Sequence, residues 1–128
     1  MLPFDVVFRP GEPVYEQVMY AVKKAVATGQ LSAGSRFPAV RALSQELRIN
    51  PNTAHKVVAA LTAEGVLQVH PGIGTVVSHP TSGSVEDRAA LLNEEIERLV
   101  VEARRLGLDE DKITAAVRRH WRKFPKIQ

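Results

Sequence analysis

The side chains best suited to chemistry lie close together near the middle of the chain, in Asn52, Thr53, His55 and Lys56. Asn50-Pro51 precedes them, and an asparagine cap followed by proline at the first helical position is a strong signal for a helix start. On a helix the four side chains fall on one face of the first turns. Amide, hydroxyl and ammonium groups placed in this way can contact base edges and phosphates in the major groove of DNA. Considered in isolation, an ordinary solvated helix face with a cap is the simpler explanation.

The context of this helix reverses that preference. The helix runs to Glu64 and its other face is apolar, with Ala54, Val57, Val58 and Leu61. Before it come a helix from Pro13 to about Thr28 and a short helix from about Ala39 to Leu47, and Met1–Pro13 forms an irregular arm. After it, Val66–His70 and Thr75–Ser78 alternate like two strands of a hairpin. This order of elements predicts a winged helix-turn-helix in residues 1–80.

Five further residues are candidate DNA contacts in such a fold. Arg41 lies in the first turn of the short helix, which crosses the DNA backbone in this architecture, and Arg36 is a weaker candidate for a phosphate contact. Gly72, Gly74 and Thr75 lie at the predicted hairpin tip, where glycine allows positive φ and close approach of backbone N–H groups to a phosphate or a minor groove. No lysine follows these glycines and no helix begins there, so a nucleotide-binding loop is not indicated. For Arg41, the alternative is a surface arginine that packs its stem on a neighbour.

The C-terminal residues 81–128 carry a different pattern. Apolar residues recur at alternating spacings of four and three, at Val85, Ala89, Leu92, Ile96, Leu99, Ala103 and Leu106. Gly107 ends this helix, and Asp109 caps a last helix that runs to about Phe124. A narrow apolar seam is typical of a helix–helix interface, so we predict a homodimer interface through Leu92, Ile96, Leu99, Ala103 and Leu106. Packing of the seam on the N-terminal domain is the alternative. The predicted fold class is therefore mainly α with a small β-hairpin, ending in a two-helix dimerisation segment.

Charge is distributed unevenly over the 128 residues, whose net charge is +3. Between Val18 and Ala63 the only acidic residue is Glu46, whereas the basic residues are Lys23, Lys24, Arg36, Arg41, Arg48 and Lys56. From Ser84 onward basic and acidic residues nearly balance. This asymmetry favours a polyanion partner for the first half of the chain. In the basic tail Arg118–Lys126, a solvated helix end is favoured over contact with DNA phosphates.

Composition argues against several classes of function. The chain has no cysteine, which excludes disulfides, thiolate metal sites and cysteine nucleophiles. The four histidines share no metal-ligand spacing, and no nucleophile or acid–base set is apparent, so we expect no metal, no cofactor and no enzymatic activity. No apolar run approaches the roughly 18 residues that a membrane span requires, and no secretion signal is visible. We expect a cytoplasmic protein without a membrane partner.

Several short motifs together resemble those of the GntR family of bacterial transcription regulators. They are Phe37-Pro38-Ala39-Val40-Arg41-Ala42-Leu43-Ser44, Asn50-Pro51-Asn52-Thr53, Leu61, Glu64-Gly65 and Gly72-x-Gly74-Thr75. The sequence Asn-Pro-Asn-Thr with a short C-terminal segment resembles its YtrA-like branch. The resemblance implies a dimeric repressor that binds a palindromic operator through Arg41, Asn52, Thr53, His55, Lys56, Gly72 and Gly74.

The chain departs from the family pattern at two places. Many members have serine where this chain has Ala39, so we expect the second helix to lack a side-chain N-cap. Many also have arginine where this chain has Pro51 and His55, which weakens the expectation of arginine–guanine readout there.

A second class of function remains open on the sequence. A winged helix can also serve as a protein–protein or RNA-binding adaptor, in which case the basic face is incidental. Duplex binding that survives salt and prefers one sequence would distinguish the DNA-binding regulator from the adaptor. A small-molecule effector, if the protein has one, would bind between subunits or between domains, because a two-helix segment offers little room for a pocket.

Overall fold

The computed structural model describes residues 1–79 and 83–124, which fall into two compact units with those bounds. The first unit contains helices α1 (Val14–Ala27), α2 (Val40–Leu47) and α3 (Pro51–Ala63), followed by strands β1 (Leu67–His70) and β2 (Gly74–Val77). The fold is mostly helical with one two-stranded antiparallel hairpin, and it is a winged helix-turn-helix as the order of elements predicts.

Helix α1 supplies one side of the core of the first unit. Pro13 precedes it and Thr28 ends it, close to the predicted bounds. Val18, Met19, Val22 and Ala25 are its buried residues. Val14, in the first turn, is 40% exposed.

A tight turn joins α2 to α3. Arg48 ends α2 in the left-handed conformation with φ 55°, which non-glycine residues rarely adopt. The buried hydroxyl of Ser44 donates to the carbonyl of Ile49 at 2.8 Å, and the Ile49 N–H donates back to the Ser44 carbonyl at 3.1 Å. These two bonds close the turn and fix the direction in which α3 leaves it.

The hairpin gains a third row of backbone pairing that the sequence did not reveal. Residues 34–37 run antiparallel to β2: the Phe37 N–H donates to the Thr75 carbonyl at 2.8 Å, and the Val77 N–H donates to the Ser35 carbonyl at 2.9 Å. Arg36 is therefore paired with Val76. The sequence signal for this extended segment was Pro38, because a residue that precedes proline favours the extended conformation.

The arm before α1 is anchored at both ends. Phe4 is buried and stacks on Phe37 with a distance of 5.8 Å between ring centroids. The Gln17 side chain donates to the Arg9 carbonyl at 3.1 Å and accepts from the Arg9 N–H at 2.7 Å. The arm is irregular, as predicted, but it contributes to the core.

The second unit contains α4 (Val85–Ala90), α5 (Ile96–Arg105) and α6 (Glu110–Lys123). Ser84 and Asp109 cap α4 and α6 through their side chains. Between α4 and α5 the helix continues through a π-helical stretch, Leu91–Glu95. A helical turn closed by i→i+5 hydrogen bonds contains one residue more than an α-helical turn. The extra residue shifts the side chains that follow by about 100° around the helix axis, relative to a regular α-helix. The regular spacing on which the single seam was predicted is therefore interrupted at Leu91–Glu95.

Candidate DNA interface

The first turn of α3 is built as the sequence predicts. The Asn50 side chain accepts a hydrogen bond from the Asn52 N–H at 2.8 Å, and Pro51 occupies the first helical position. On the inner face Ala54, Val57 and Leu61 are buried. Opposite them Asn52, His55 and Lys56 are exposed, while Thr53 is half-buried. The four candidate side chains thus lie together on or beside one accessible face.

Helix α2 packs against α3 and presents Arg41, exposed, in its first turn. Its N-terminal residue, Ala39, makes no side-chain capping bond, as expected from the departure at this position. The N-terminus of a helix carries a partial positive charge and unpaired N–H groups, both of which attract anions. Neither α2 nor α3 has an acidic residue in its first turn, whereas α1, α4, α5 and α6 each have at least one. The two helix starts that the sequence predicts to contact DNA are thus the ones without an acidic residue in the first turn.

The hairpin forms the wing. Gly72 and Gly74 have φ of 80° and 110°, so both adopt the positive values expected at the tip. The turn is one residue shorter than predicted, because Gly74 already pairs with His70 in the ladder. Thr75 pairs with Val69 and is half-buried. Arg36, through its pairing with Val76, joins the base of the wing and not the α2–α3 surface.

Two charged residues between Val18 and Ala63 form ion pairs within the first unit. Lys23 Nζ lies 2.6 Å from a carboxylate oxygen of Glu64. Glu46 pairs with the amino group of Met1. Because Lys23 is paired with Glu64, α1 offers less positive charge to a partner than its sequence suggested.

The sequence model of the family described as "Bacterial regulatory proteins, gntR family" matches residues 14–77, half of the chain. The chain belongs to the GntR family. Like the other members, this GntR protein is a transcriptional regulator with a DNA-binding domain, and it is not an enzyme.

Known relatives extend the similarity beyond the DNA-binding domain. The HTH-type transcriptional repressor YtrA of Bacillus subtilis (strain 168) is 29% identical over 106 residues, 82% of each chain, and places this GntR protein in the YtrA-like branch. A transcriptional regulator from Oenococcus oeni, 29% identical, has a TM-score of 0.61 over 90% of this chain and 96% of its own. A transcriptional antiterminator from Listeria monocytogenes EGD-e has a TM-score of 0.80 over 91% of this chain and 88% of its own; at 23% identity it shows the shared fold.

In the second unit of the GntR protein, the predicted interface residues differ in exposure. Leu92 and Leu106 are 66% and 59% exposed, and Ile96 and Leu99 are each 41% exposed. Ala103 is buried within the chain itself, and its carbonyl accepts from the Leu108 N–H at 2.9 Å. The small alanine therefore contributes to packing within its own chain, and its place in the interface stays a prediction.

Ion pairs within α5 are local. Glu102 accepts from the Arg105 guanidinium, and this hydrogen bond raises the pKa of Arg105 above its ordinary value.

Within the part of the chain that the structure describes, no helix is long and apolar enough to cross a membrane. Likewise, residues 1–79 and 83–124 hold no cluster of three or more groups arranged to bind a metal ion. Lys126 of the basic tail lies outside the described residues.

Proposed function

We propose that this GntR protein is a homodimeric repressor that binds a palindromic operator in the cytoplasm. Helix α3 enters the major groove, and the wing contacts the neighbouring DNA backbone. Residues 1–80 bind DNA and residues 81–128 hold the dimer together. The relative YtrA is named a transcriptional repressor, which supports the direction of regulation. The proposal requires no small-molecule effector.

The observation that carries the DNA-binding role is the start of α3. Asn52, His55 and Lys56 are exposed in its first turns, while a separate residue, Asn50, provides the cap. Asparagine can bind adenine through two hydrogen bonds, and lysine can bind guanine or phosphate. No carboxylate lies in the first turn to repel DNA. The exposed face is thus free to read a base sequence.

The apolar surface of the second unit supports the dimer. Leu92, Leu99 and Leu106 are large and apolar, yet each is substantially exposed in one chain. Clustered exposed apolar side chains are typical of interaction surfaces. One recognition helix contacts few base pairs, whereas a two-fold dimer presents two helices to half-sites about one helical turn apart, or a multiple of that distance. Dimerisation would therefore supply the selectivity that one subunit lacks.

Selection of bound sequences from a random duplex library tests this function directly. We expect an enriched palindrome, and binding to it that exceeds binding to unrelated duplex at physiological salt by at least about 10³-fold. Binding to structured RNA with no preference among DNA duplexes would favour the adaptor role. An enriched half-site without symmetry would contradict the dimer while leaving DNA recognition intact.

A further inference from the structure

The arm before α1 contains a segment, residues 5–9, whose side chains alternate in exposure; we name it the arm segment. Val6 is partly buried against the core and Phe8 is 39% exposed, whereas Val7 between them is 85% exposed. Such alternation is typical of an extended chain that rests one face on the core. The outer face carries the three most accessible side chains, those of Asp5, Val7 and Arg9.

One edge of the arm segment has free backbone groups. The N–H and C=O of Arg9 both bond to the Gln17 side chain, whereas no described residue forms a hydrogen bond with the backbone of residues 5–8. Neighbouring residues of an extended chain direct these groups to opposite edges, so those of Val6 and Phe8 point away from Gln17. Unpaired backbone groups are almost never buried in proteins, so this edge faces solvent. An open edge of this kind can pair with a strand of another chain.

The sequence of the arm segment, Asp-Val-Val-Phe-Arg, is complementary to itself. When two copies run antiparallel with Val7 opposite the partner's Val7, each Asp5 lies opposite the partner's Arg9. Val6 then lies opposite the partner's Phe8, and this pair can exchange both of its N–H···O bonds across the open edges. The Val7 pair and the Asp5–Arg9 pairs are then the non-hydrogen-bonded ones, which agrees with the bonding of the Arg9 backbone to Gln17.

Charge selects this register over the alternatives. A shift by one residue would place outward side chains opposite inward ones, and a shift by two would separate Asp5 from Arg9. Within the described residues neither of these two side chains forms an ion pair, so both charges are available to a partner. Opposite charges directly across a ladder stabilise it, and like charges destabilise it. The strand that best fits the arm segment is therefore a second arm segment.

We infer that the arm segment is a self-association surface, through which two copies of the chain pair as antiparallel strands about Val7. This surface is separate from the interface proposed in residues 81–128, and its pairing requires no DNA. Pro3 and Pro10 flank the arm segment and cannot donate to a ladder, so the pairing ends there. Two strands alone are only marginally stable in water, so the contact is weak by itself and adds to contacts made elsewhere.

Cysteine cross-linking can trap such a weak contact, and the chain has no cysteine of its own. In a non-hydrogen-bonded pair the Cα atoms lie about 4.5 Å apart, within the range of about 4.4–6.8 Å that a disulfide spans. We expect the full chain with Val7→Cys to form a covalent dimer under mild oxidation, in the absence of DNA. It should form at least about tenfold faster than with Ile73→Cys, at another exposed apolar position, because pairing raises the effective concentration of the thiols.

Charge reversal in the Val7→Cys chain tests the register. Asp5→Arg places like charges opposite each other and should slow cross-linking about tenfold, and addition of Arg9→Asp should restore the rate. A chain with Asp5→Arg alone and a chain with Arg9→Asp alone should cross-link with each other in preference to themselves. Both side chains are exposed and Gln17 binds only the backbone of Arg9, so folding should persist, which thermal unfolding checks.

Equal cross-linking rates in Val7→Cys and Ile73→Cys would overturn the inference. Failure of Arg9→Asp to restore the rate lost in Asp5→Arg would also overturn it, because random collision of exposed thiols does not depend on register. The assay contains no DNA, so its result is independent of the proposed function. A chain without arm pairing could still bind an operator, and a chain that bound no operator could still pair through its arm.

Discussion

At the scale of single residues, the residue that caps α3 differs from the residue that we propose to contact a base. Asn50 supplies the cap through its side chain, and only the backbone N–H of Asn52 takes part in that bond. The Asn52 side chain remains exposed. Asn50 is therefore the capping residue and Asn52 the residue proposed to contact a base, and substitution can distinguish the two roles.

We expect Asn52→Ala to weaken binding to the selected operator by about 1–3 kcal/mol and to relax preference at one base pair. Its free energy of unfolding should remain close to that of the wild type, since the cap is retained. Asn50→Ala is the matched control, and it should reduce the free energy of unfolding by about 1 kcal/mol with base preference intact. Binding to a library of operator variants and urea unfolding provide the two measurements. An unchanged preference in Asn52→Ala would show that this amide does not read a base.

Gly74 permits a second test at this scale. At φ 110° any residue with a side chain is strained, although a Cβ there would meet no atom within 4 Å. We expect Gly74→Val to lower the free energy of unfolding by about 1–3 kcal/mol through strain alone, and to weaken operator binding by displacing the wing. Ile73→Val, at an exposed neighbour, should do neither. Normal stability and affinity in Gly74→Val would show that the tip is neither strained nor close to DNA.

At the scale of elements, local signals predicted the helices and the hairpin but not their long-range partners. The Asn50-Pro51 start and the alternation in the wing depend on nearby residues, and the structure reproduces both. Pairing of residues 34–37 with β2 joins segments about 40 positions apart, for which no local pattern exists. The π-helical stretch contains ordinary helix-forming residues, so nothing in Leu91–Glu95 distinguishes it from an α-helix. The predicted contact residues themselves stay predictions until DNA binding is measured.

Deletion of Asn93 tests the π-helical stretch. If that stretch holds one extra residue, its removal lets α4 and α5 join through regular bonds with their faces aligned as before. We expect the dimer to persist and the thermal midpoint to stay unchanged or rise by a few degrees. Deletion of Val101 in regular α5 should instead rotate the following residues by about 100° and abolish the dimer. Light scattering gives the oligomeric state of the two deletion variants, and calorimetry gives their thermal midpoints. Equal loss of the dimer and of thermal stability in both variants would mean that the helix is regular throughout.

At the scale of the whole molecule, the proposed homodimer predicts that affinity for the operator depends on two copies acting together. Leu99 lies in the exposed apolar stripe of α5, and a glutamate there would meet its symmetry mate in the proposed interface. Removing a charge from water without a partner costs several kcal/mol, and two like charges repel in addition. The core of the first unit lies between Phe4 and Val77, so its folding should not depend on this position.

We therefore expect Leu99→Glu to be monomeric by light scattering and folded in its first unit. Its affinity for a two-half-site duplex should fall to that for a single half-site, while non-specific binding, which depends on the retained basic residues, changes little. Val101→Glu, on the opposite side of α5 and 60% exposed, should remain dimeric. A dimeric Leu99→Glu protein, or a monomer with full operator affinity, would refute this role of the second unit.

The stacking of Phe4 on Phe37 determines where a DNA-binding fragment of the regulator can begin. The family match begins at residue 14, so a fragment cut to that match would omit the arm. Phe37 belongs to the segment paired with β2, and its ring would then face water on the side that Phe4 covers. A minimal DNA-binding fragment must therefore start before Phe4, and one trimmed to the shared motif would carry an exposed aromatic surface directly behind its wing.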